Sequence, residues 1–204
     1  MPRPLRIYPA GVPQHVYNRG NKRQRVFHER ADYLGFLAGL ADAAKRTTVR
    51  IVAFIMLGNH WHLILWPSVD EEVSQFMQLL MNTHIRDLLL RRDVRMNGHF
   101  YRGRHKNRPI LTERQLWLGW RYVEGNALKH GLVDRAEDWP WSSLSDNKDC
   151  AGIVHPGPFP KPRNWVELAN QIPSDAAMKE WHQEARKAQK LRQFRVLGET
   201  VPQG

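Results

Sequence analysis

Two short apolar runs, separated by only two residues, constrain the fold of this chain more than any other feature of its sequence. The first run, RIVAFIML, spans 50–57 and the second, HWHLILW, spans 60–66. Runs of this length that are rich in β-branched and aromatic residues are typical of buried strands, and the Gly58-Asn59 pair between them is typical of a tight turn. The sequence therefore predicts two neighbouring strands joined by a turn.

The segments around this pair alternate between strand and helix patterns. QHVYNRG (14–20) predicts a short strand, which a polar, basic loop follows. Apolar residues recur at three- and four-residue spacing over 33–44 and over 70–92, which predicts two helices with one apolar stripe each. The segment 99–111 is extended in character. The resulting order predicts an α/β fold with the β-α-β-β-α-β core of the ferredoxin-like arrangement.

One further helix is appended to this core. Thr112-Glu-Arg-Gln115 matches a capping box, in which the threonine and glutamine side chains satisfy free backbone N–H groups. The helix is expected to run to about His130, where Gly131 can supply the C-terminal cap.

Beyond Trp141 the composition changes. Residues 155–163 contain four prolines and predict a linker, and residues 174–197 predict a charged helix of weak amphipathicity. We therefore place one domain at 1–145 and assign 146–204 to a Pro-rich linker and a charged C-terminal helical tail. A length of 204 residues suits one compact domain with such an appendage.

The residue content also limits where the protein works. Its one cysteine, Cys150, excludes an intramolecular disulfide and a cysteine-rich zinc site, in agreement with a reducing cytosol. No apolar run approaches the roughly 20 residues that a membrane span needs, and the N-terminus lacks the apolar stretch of a signal peptide. We expect a soluble, cytoplasmic protein with no membrane partner.

Positive charge is concentrated in two segments. The net charge is +11 with a pI of about 10.2, and residues 1–30 and 91–108 each hold seven Lys or Arg against one acid. This points to a polyanionic partner, although charge alone does not separate DNA from RNA or a membrane surface. Charge that serves only solubility would be scattered along the chain and not concentrated in two segments. Flexible basic tails, however, could also produce such a concentration. A binding surface is the favoured interpretation.

His60 and His62 are candidate metal ligands. Side chains two residues apart on a strand point to the same face, so two imidazoles can meet one ion. The spacing alone is weak, because such a pair is more often surface or core histidine. The pair nevertheless begins an otherwise apolar strand directly after a turn. Polar side chains at such a position are expected to have a specific role.

Tyr122 and Asn126 are neighbours on one face of the appended helix, one turn apart. A packed aromatic with a polar neighbour is the plainer interpretation. A tyrosine is also a possible nucleophile, but its phenol has an ordinary pKa near 10 and needs help from the leaving group or a metal ion. A metal ion on the scissile phosphate supplies part of that help.

Four stretches together resemble a known family. NRGNKRQRVF (18–27), LGNHWHLILWP (57–67), FYRGRHKNRPI (100–110) and RYVEGNALKHGLVDRAEDWPWSSL (121–144) resemble the REP-associated tyrosine transposases, relatives of the single-tyrosine insertion-sequence transposases. The resemblance covers 14–145. It departs from the family at Gly58, where the family commonly has Pro, and at Ala127 after Asn126, where the family has Asn-Pro. After Leu144 the match is faint.

The resemblance implies a site and a reaction. His60 and His62 correspond to the metal-binding HUH pair, Tyr122 to the catalytic tyrosine, and Asn126 to the third metal ligand. The implied reaction cuts single-stranded DNA beside a short hairpin and leaves a 5′-phosphotyrosine link and a free 3′-hydroxyl. Magnesium or manganese is the implied metal, although two imidazoles equally suit zinc by ligand type. No ATP or other small-molecule cofactor is implied.

The two basic segments then become candidate DNA contacts. If 99–108 is a strand, its basic residues alternate onto one face and can track a phosphate backbone; a solvated edge strand is the alternative. The resemblance suggests that the loop after the first strand recognises bases at the hairpin foot, although an ordinary polar turn is as good an account of any single member. The residues are Arg102, Arg104, Lys106 and Arg108 in the strand, and Asn18, Arg19, Asn21, Lys22, Arg23, Gln24 and Arg25 in the loop.

Four tryptophans are open to two interpretations, since they could stack on bases but are more often core at such spacing. They are Trp117, Trp120, Trp139 and Trp141. At the level of the whole protein, the leading alternative to a DNA strand-cleaving enzyme is a non-catalytic hairpin-DNA-binding regulator on the same fold. An RNA-binding module fits the charge and fold but leaves the His-Tyr-Asn set unexplained. Monomer and homodimer are both open.

Overall fold

A computed structural model describes residues 8–92 and 99–196. These residues form four strands and six α-helices. The strands are β1 (Gln14–Arg19), β2 (Arg50–Leu57), β3 (His60–Trp66) and β4 (Lys106–Pro109). The helices are α1 (Arg30–Lys45), α2 (Glu72–Arg92), α3 (Glu113–Glu124), α4 (Asn126–Lys129), α5 (Trp165–Asn170) and α6 (Asp175–Val196). Short 3₁₀ turns lie at Asn21–Arg23, Ala136–Asp138 and Lys148–Cys150.

The strands form one antiparallel sheet in the order β2-β3-β1-β4. With α1 between β1 and β2, and α2 between β3 and β4, this is the predicted ferredoxin-like core, and the prediction is confirmed. The predicted β2–β3 turn at Gly58-Asn59 is confirmed as well. The register sets His62 opposite Ile55 on β2 and opposite Tyr17 on β1. That pairing fixes which side chains surround the histidines.

Alternation along β3 separates two apolar layers. Trp61, Leu63 and Leu65 pack into the layer formed with α1 and α2. Ile64 packs into the layer formed with α3, α5 and α6. Because side chains two apart share a face, His60 and His62 lie on the α3 side of the sheet.

The extended segment 99–111 is mostly not a strand. Only Lys106–Pro109 joins the sheet, and Tyr101 makes a single bridge to Gly20. Gly103 adopts φ +98, a conformation that favours glycine and interrupts the pleat. The predicted alternation of Arg102 and Arg104 along one strand face is therefore wrong, and both lie in a loop.

The appended helix is interrupted at Gly125. Helix α3 ends at Glu124, and α4 then continues only to Lys129. A Cβ at position 125 would lie 2.8 Å from the carbonyl oxygen of Ala169, so α5 approaches the backbone closely here. A single unbroken helix to about His130 is therefore wrong.

The predicted N-terminal cap of this helix is confirmed. Thr112 Oγ1 accepts a hydrogen bond from the Gln115 amide at 3.2 Å. Gln115 Oε1 accepts one from the amide of Leu111 at 2.8 Å, one residue earlier than the usual capping box.

Residues after 145 pack onto the sheet layer. Helix α5, which the sequence pattern did not predict, buries Trp165 beside α3. Helix α6 buries Met178, Trp181 and Ala185, a stripe at helical spacing, in the same layer. The division at 145 stays a prediction. In the described part of the chain, no helix is both long and apolar enough to cross a membrane.

Candidate active site

A cleft of about 1000 Å³ opens beside the β2–β3 turn, on the α3 side of the sheet. It brings together residues that are far apart in sequence: the histidine pair of β3, the tyrosine of α3, and cations from three segments. The lining residues that matter for chemistry and charge are Tyr17, Arg19, Arg25, His60, His62, Arg102, Arg104, Lys106, Tyr122 and His130.

His60 lies between two asparagines. Its Nδ1 is 2.6 Å from Asn59 Oδ1, and its Nε2 is 3.1 Å from Asn126 Oδ1. Burial lowers the pKa of His60 to about 4, despite the opposing hydrogen bond with Asn126. A neutral imidazole has one N–H, which can serve only one of the two oxygens. With the proton on the closer Asn59 side, the lone pair of Nε2 faces the Asn126 oxygen.

His62 is more deeply buried. Its Nδ1 is 2.9 Å from Nε2 of His15, and its ring centroid is 5.2 Å from that of His60, at an interplanar angle of 87°. Burial holds the pKa of His62 well below its usual range, and the neighbouring His15 and His60 lower it further. Both residues of the pair are therefore neutral near pH 7, which is the form of imidazole that ligates metals.

Tyr122 reaches the same cleft from the last turn of α3. Its ring centroid lies 5.4 Å from that of His62, and the two rings meet edge to face. Asn126 is fully buried, and its Nδ2 donates to the Tyr122 carbonyl at 3.5 Å. The ammonium of Lys129 lies 5.3 Å above the Tyr122 ring. The histidines, the asparagine and the tyrosine thus converge, although a break in the helix separates the last two.

A buried carboxylate anchors the end of α3. Glu124 is fully buried and accepts hydrogen bonds from Trp120 Nε1 (3.1 Å), Ser143 Oγ (2.7 Å), Lys161 Nζ (2.9 Å) and Trp165 Nε1 (2.6 Å). A buried charge is tolerated when it is paired and hydrogen-bonded in this way. The network ties the helix that carries Tyr122 to the segment after residue 145, and no local sequence pattern indicates it.

No protein-family model matches the chain, and no curated protein matches it. Among solved structures, the chain is similar to a REP-associated tyrosine transposase that was solved bound to a REP hairpin. The identity is 18%, the TM-score is 0.56, and the likeness covers 76% of this chain and 88% of that chain. The chain has the fold of a REP-associated tyrosine transposase. The resemblance carried by the four sequence motifs is thereby confirmed at the level of the fold.

The residues predicted to read bases lie at the end of β1 and in the loop after it, and they are of three kinds. Arg19 and Arg25 line the cleft. Asn18, which also lines the cleft, and Gln24 donate to the carbonyls of Gly103 and Phe100, both at 3.0 Å, and so hold the neighbouring segment in place. The third kind lies outside the cleft lining: Lys22 and Arg23 are exposed there, and Asn21 is half-buried.

Arg25 takes its position through a glycine. A Cβ at Gly58 would lie 3.3 Å from Arg25 Nε, so the guanidinium rests directly against the backbone of the β2–β3 turn. This is the position at which the transposase family commonly has proline. The departure leaves room for a cation at the mouth of the cleft.

The second basic segment reaches the cleft mostly by a loop, and of its cleft-lining cations only Lys106 is in a strand, as the first residue of β4. Arg102, Arg104 and Lys106 line the cleft. Burial lowers the pKa of Lys106, and the nearby Arg108 and Arg102 lower it further. Arg108 is buried instead, and its Nη2 donates to the Tyr17 hydroxyl at 3.0 Å. Three of the four predicted cations therefore face the cleft.

Among the four tryptophans, three pack against other aromatic rings and one lines the cleft. Trp120 is fully buried and packs on Trp117 and Trp165, and Trp141 stacks on Tyr33 at 4.6 Å. Trp139 is the one among the four predicted tryptophans that lines the cleft.

Two histidines beside the His60–His62 pair were not predicted from the sequence. His15 contacts His62, and the exposed His130 lies 5.3 Å from the His60 ring, edge to face. Strand alternation in QHVYN would have placed His15 and Tyr17 on one face. Placing that face beside His62 required the β1–β3 register, which no local pattern supplies.

Proposed function

We propose that this protein is a single-strand DNA endonuclease and strand transferase that acts beside short hairpins and uses Tyr122 as its nucleophile. The observation that carries the proposal is the convergence of His60, His62, Asn126 and Tyr122 in one cleft whose rim is cationic. A packed aromatic with a polar neighbour would not need two desolvated imidazoles beside it.

The donor set fits a divalent metal ion. Two neutral imidazoles share a strand face, and His60 Nε2 lies 3.1 Å from Asn126 Oδ1. When the His60 proton is on Nδ1, this contact joins two acceptors, and a cation between them would relieve it. In the described ranges, no group of three or more His, Cys, Asp or Glu side chains could hold a metal. In this proposal His60, His62 and Asn126, which offer two imidazole nitrogens and an amide oxygen, would hold Mg²⁺ or Mn²⁺. When bound, the ion supplies polarisation of a phosphoryl oxygen.

The reaction is a transesterification. The phenol oxygen of Tyr122 attacks the scissile phosphorus, the bond from phosphorus to the 3′-oxygen breaks, and the departing 3′-oxygen takes up a proton as the phenol loses one. The product is a 5′-phosphotyrosine and a free 3′-hydroxyl, and the reverse attack by a 3′-hydroxyl rejoins DNA. Because the bond energy is kept in the protein–DNA link, no nucleotide cofactor is needed.

The cleft favours a single strand as substrate. The histidines lie on the face of the sheet that α3 covers, and Tyr122 reaches them from α3 itself. A flexible strand reaches such a recess more easily than a duplex does. Arg19, Arg25, Arg102, Arg104 and Lys106 can follow its phosphates along the rim. The similar solved transposase carries a REP hairpin, which is the basis for proposing a hairpin here.

A non-catalytic hairpin-binding regulator is the second candidate. The direct contact between His60 and Asn126 favours it, since this pair could serve as a structural link in a DNA-binding cleft.

Covalent trapping separates the two candidates. A hairpin oligonucleotide with single-stranded flanks is incubated with the protein and Mn²⁺, and adducts that survive denaturing electrophoresis are scored. A label at the 3′ end should stay with the protein, whereas a label at the 5′ end should be released with a free 3′-hydroxyl. A non-catalytic regulator would bind the oligonucleotide, whichever end carries the label, and would form no covalent adduct with it. Faster cutting of the fully paired duplex would count against the proposed substrate.

A further inference from the structure

A buried hydrogen bond joins two histidines of neighbouring strands. His15 on β1 and His62 on β3 are 1% and 6% exposed, and Nε2 of the first lies 2.9 Å from Nδ1 of the second. Their rings are nearly parallel, with centroids 5.1 Å apart. Tyr17 stacks against both rings, at 5.0 Å and 5.5 Å. The geometry leaves little freedom to either imidazole.

The proton in this bond has two possible arrangements. If Nδ1–H of His62 donates to Nε2 of His15, then Nε2 of His62 carries a lone pair. If His15 donates instead, a neutral His62 carries its proton on Nε2 and has no lone pair there. Only the first arrangement lets His62 bind an ion through Nε2.

Apart from its bond to His62, the His15 ring makes no contact with residues 8–92 or 99–196 that would require a polar side chain at this position. Its Nδ1 is buried and has no hydrogen-bond partner among the described residues, so the bond to His62 is the one that the ring makes within that part of the chain. Trp181 of α6 stacks over it at 5.3 Å, and on β3 it is paired with Ile64. A phenylalanine would fill this site as well by shape. A buried polar group of this kind calls for a specific role.

His60 has an equivalent partner in Asn59. Amide oxygens only accept, and Asn59 Oδ1 lies closer to Nδ1 of His60 (2.6 Å) than Asn126 Oδ1 lies to Nε2 (3.1 Å), so the shorter contact favours a proton on Nδ1. His62 has no such oxygen on its Nδ1 and has His15 there instead. Both histidines of the pair thus have Nδ1 engaged by a neighbouring side chain, and Nε2 is the ring nitrogen left to ligate an ion.

We propose that His15 is a positioning residue that accepts the Nδ1 proton of His62 and so keeps Nε2 of His62 free to bind the metal ion. This inference rests on the proposed function, because it assumes that His62 is a metal ligand. It adds a residue that the motif does not contain.

Two substitutions at position 15 separate a positioning role from a packing role. His15→Phe keeps the flat ring beneath Trp181 but removes the acceptor, whereas His15→Gln loses the ring but offers an amide oxygen. Mn²⁺ binding to the DNA-free protein is measured by titration. We expect His15→Phe to bind roughly 10- to 100-fold more weakly than wild type, and His15→Gln to recover most of that loss. Trp181→Phe, which changes the stacked ring alone, should bind as wild type does.

The second readout needs no metal. Imidazole ¹⁵N spectra distinguish a proton on Nδ1 from one on Nε2, and metal-free wild type should show it on Nδ1 of His62. A proton on Nε2 would overturn the inference, even if His15→Phe does not fold. Equal Mn²⁺ affinity of His15→Phe and wild type would overturn it, as would equal losses in both variants at position 15.

The same titration separates this inference from the function on which it rests. If wild type binds Mn²⁺, His62→Ala abolishes binding and His15→Phe binds as tightly as wild type, only the role of His15 is wrong. If wild type binds no Mn²⁺, both the metal site and the role of His15 are overturned.

Discussion

The two faces of β3 share one backbone but perform different tasks. Trp61 on one face is fully buried, donates its indole N–H to the Tyr101 hydroxyl at 3.1 Å, and packs against α1 and α2. On the other face, His60 and His62 are also buried to a large degree, but among rings and amides rather than aliphatic groups. Burial stabilises the fold on the first face. On the second face, it keeps the imidazoles neutral.

The largest expected effect is on chemistry and comes from the histidine face. His60→Ala, His62→Ala and Tyr122→Phe should each lose the covalent DNA adduct, while circular dichroism and most hairpin binding remain. The reason is that each change removes a group at the reacting phosphate. Tyr17→Phe and Tyr101→Phe are the matched controls and should still form adduct. Adduct in Tyr122→Phe together with its loss in either control would move the nucleophile elsewhere.

The opposite face should show the reverse behaviour. Trp61→Ala removes a fully buried indole and leaves a cavity, for which we expect a loss of about 3–5 kcal/mol in the free energy of unfolding. Under conditions where this variant is still folded, its adduct formation should persist. Urea unfolding measures the first quantity, and the trapping assay measures the second. A stable variant without adduct would contradict the division of labour between the two faces.

Local pattern predicts the part of this arrangement that depends on neighbours in sequence. The Gly58-Asn59 turn, the alternation that puts His60 and His62 on one face, and the Thr112 cap all follow from short segments. What the pattern missed depends on distant contacts. Gly125 ends α3 where Ala169 approaches it, and Gly103, which bends the segment before β4 through a positive φ, accepts a hydrogen bond from Asn18 on β1.

The candidate site shows the same limit. The residues of the motif were predictable, but His15 meets His62 only through the pairing of β1 with β3, and Trp181 covers His15 from a helix more than 160 positions later in the sequence. The roles of these residues stay predictions until the variants are made.

A smaller effect concerns pH. The folded chain holds the pKa of His60 at about 4 instead of the ordinary 6.5, chiefly through burial. The unfolded chain therefore takes up a proton at this residue from about pH 6.5 downward, and the folded chain does so only near pH 4. The stability that neutral His60 contributes is complete above pH 6.5 and is lost as the pH falls through this window, by about 3 kcal/mol.

This dependence is measured by urea unfolding of metal-free protein near neutral pH and near pH 4. His60→Gln has no titrating group at this position, so its free energy of unfolding should fall less than that of wild type over the same window. Parallel pH profiles for the two proteins would mean that His60 is not desolvated in the folded state.

The smallest expected effect extends the comparison from β3 to the cations around it. Arg102, Arg104 and Lys106 line the cleft on the histidine side of the sheet. Removing one cation that binds a phosphate should reduce the slope of log affinity against log salt by roughly 0.7 for single-stranded DNA. Replacing all three with glutamine should therefore lower the slope by roughly 2 and weaken binding to every sequence about equally.

The matched control removes the same charge elsewhere. Lys45, Arg46 and Arg114 are exposed and lie outside the cleft lining, the first two at the end of α1 and the third in the first turn of α3. Their replacement with glutamine changes the net charge equally but should leave the salt slope close to that of wild type, because no phosphate is expected to reach them. Equal slopes for the two triple variants would mean that overall charge, rather than the cleft, attracts the DNA. In that case the cations of the 102–106 loop would serve only as solvated groups beside an edge strand.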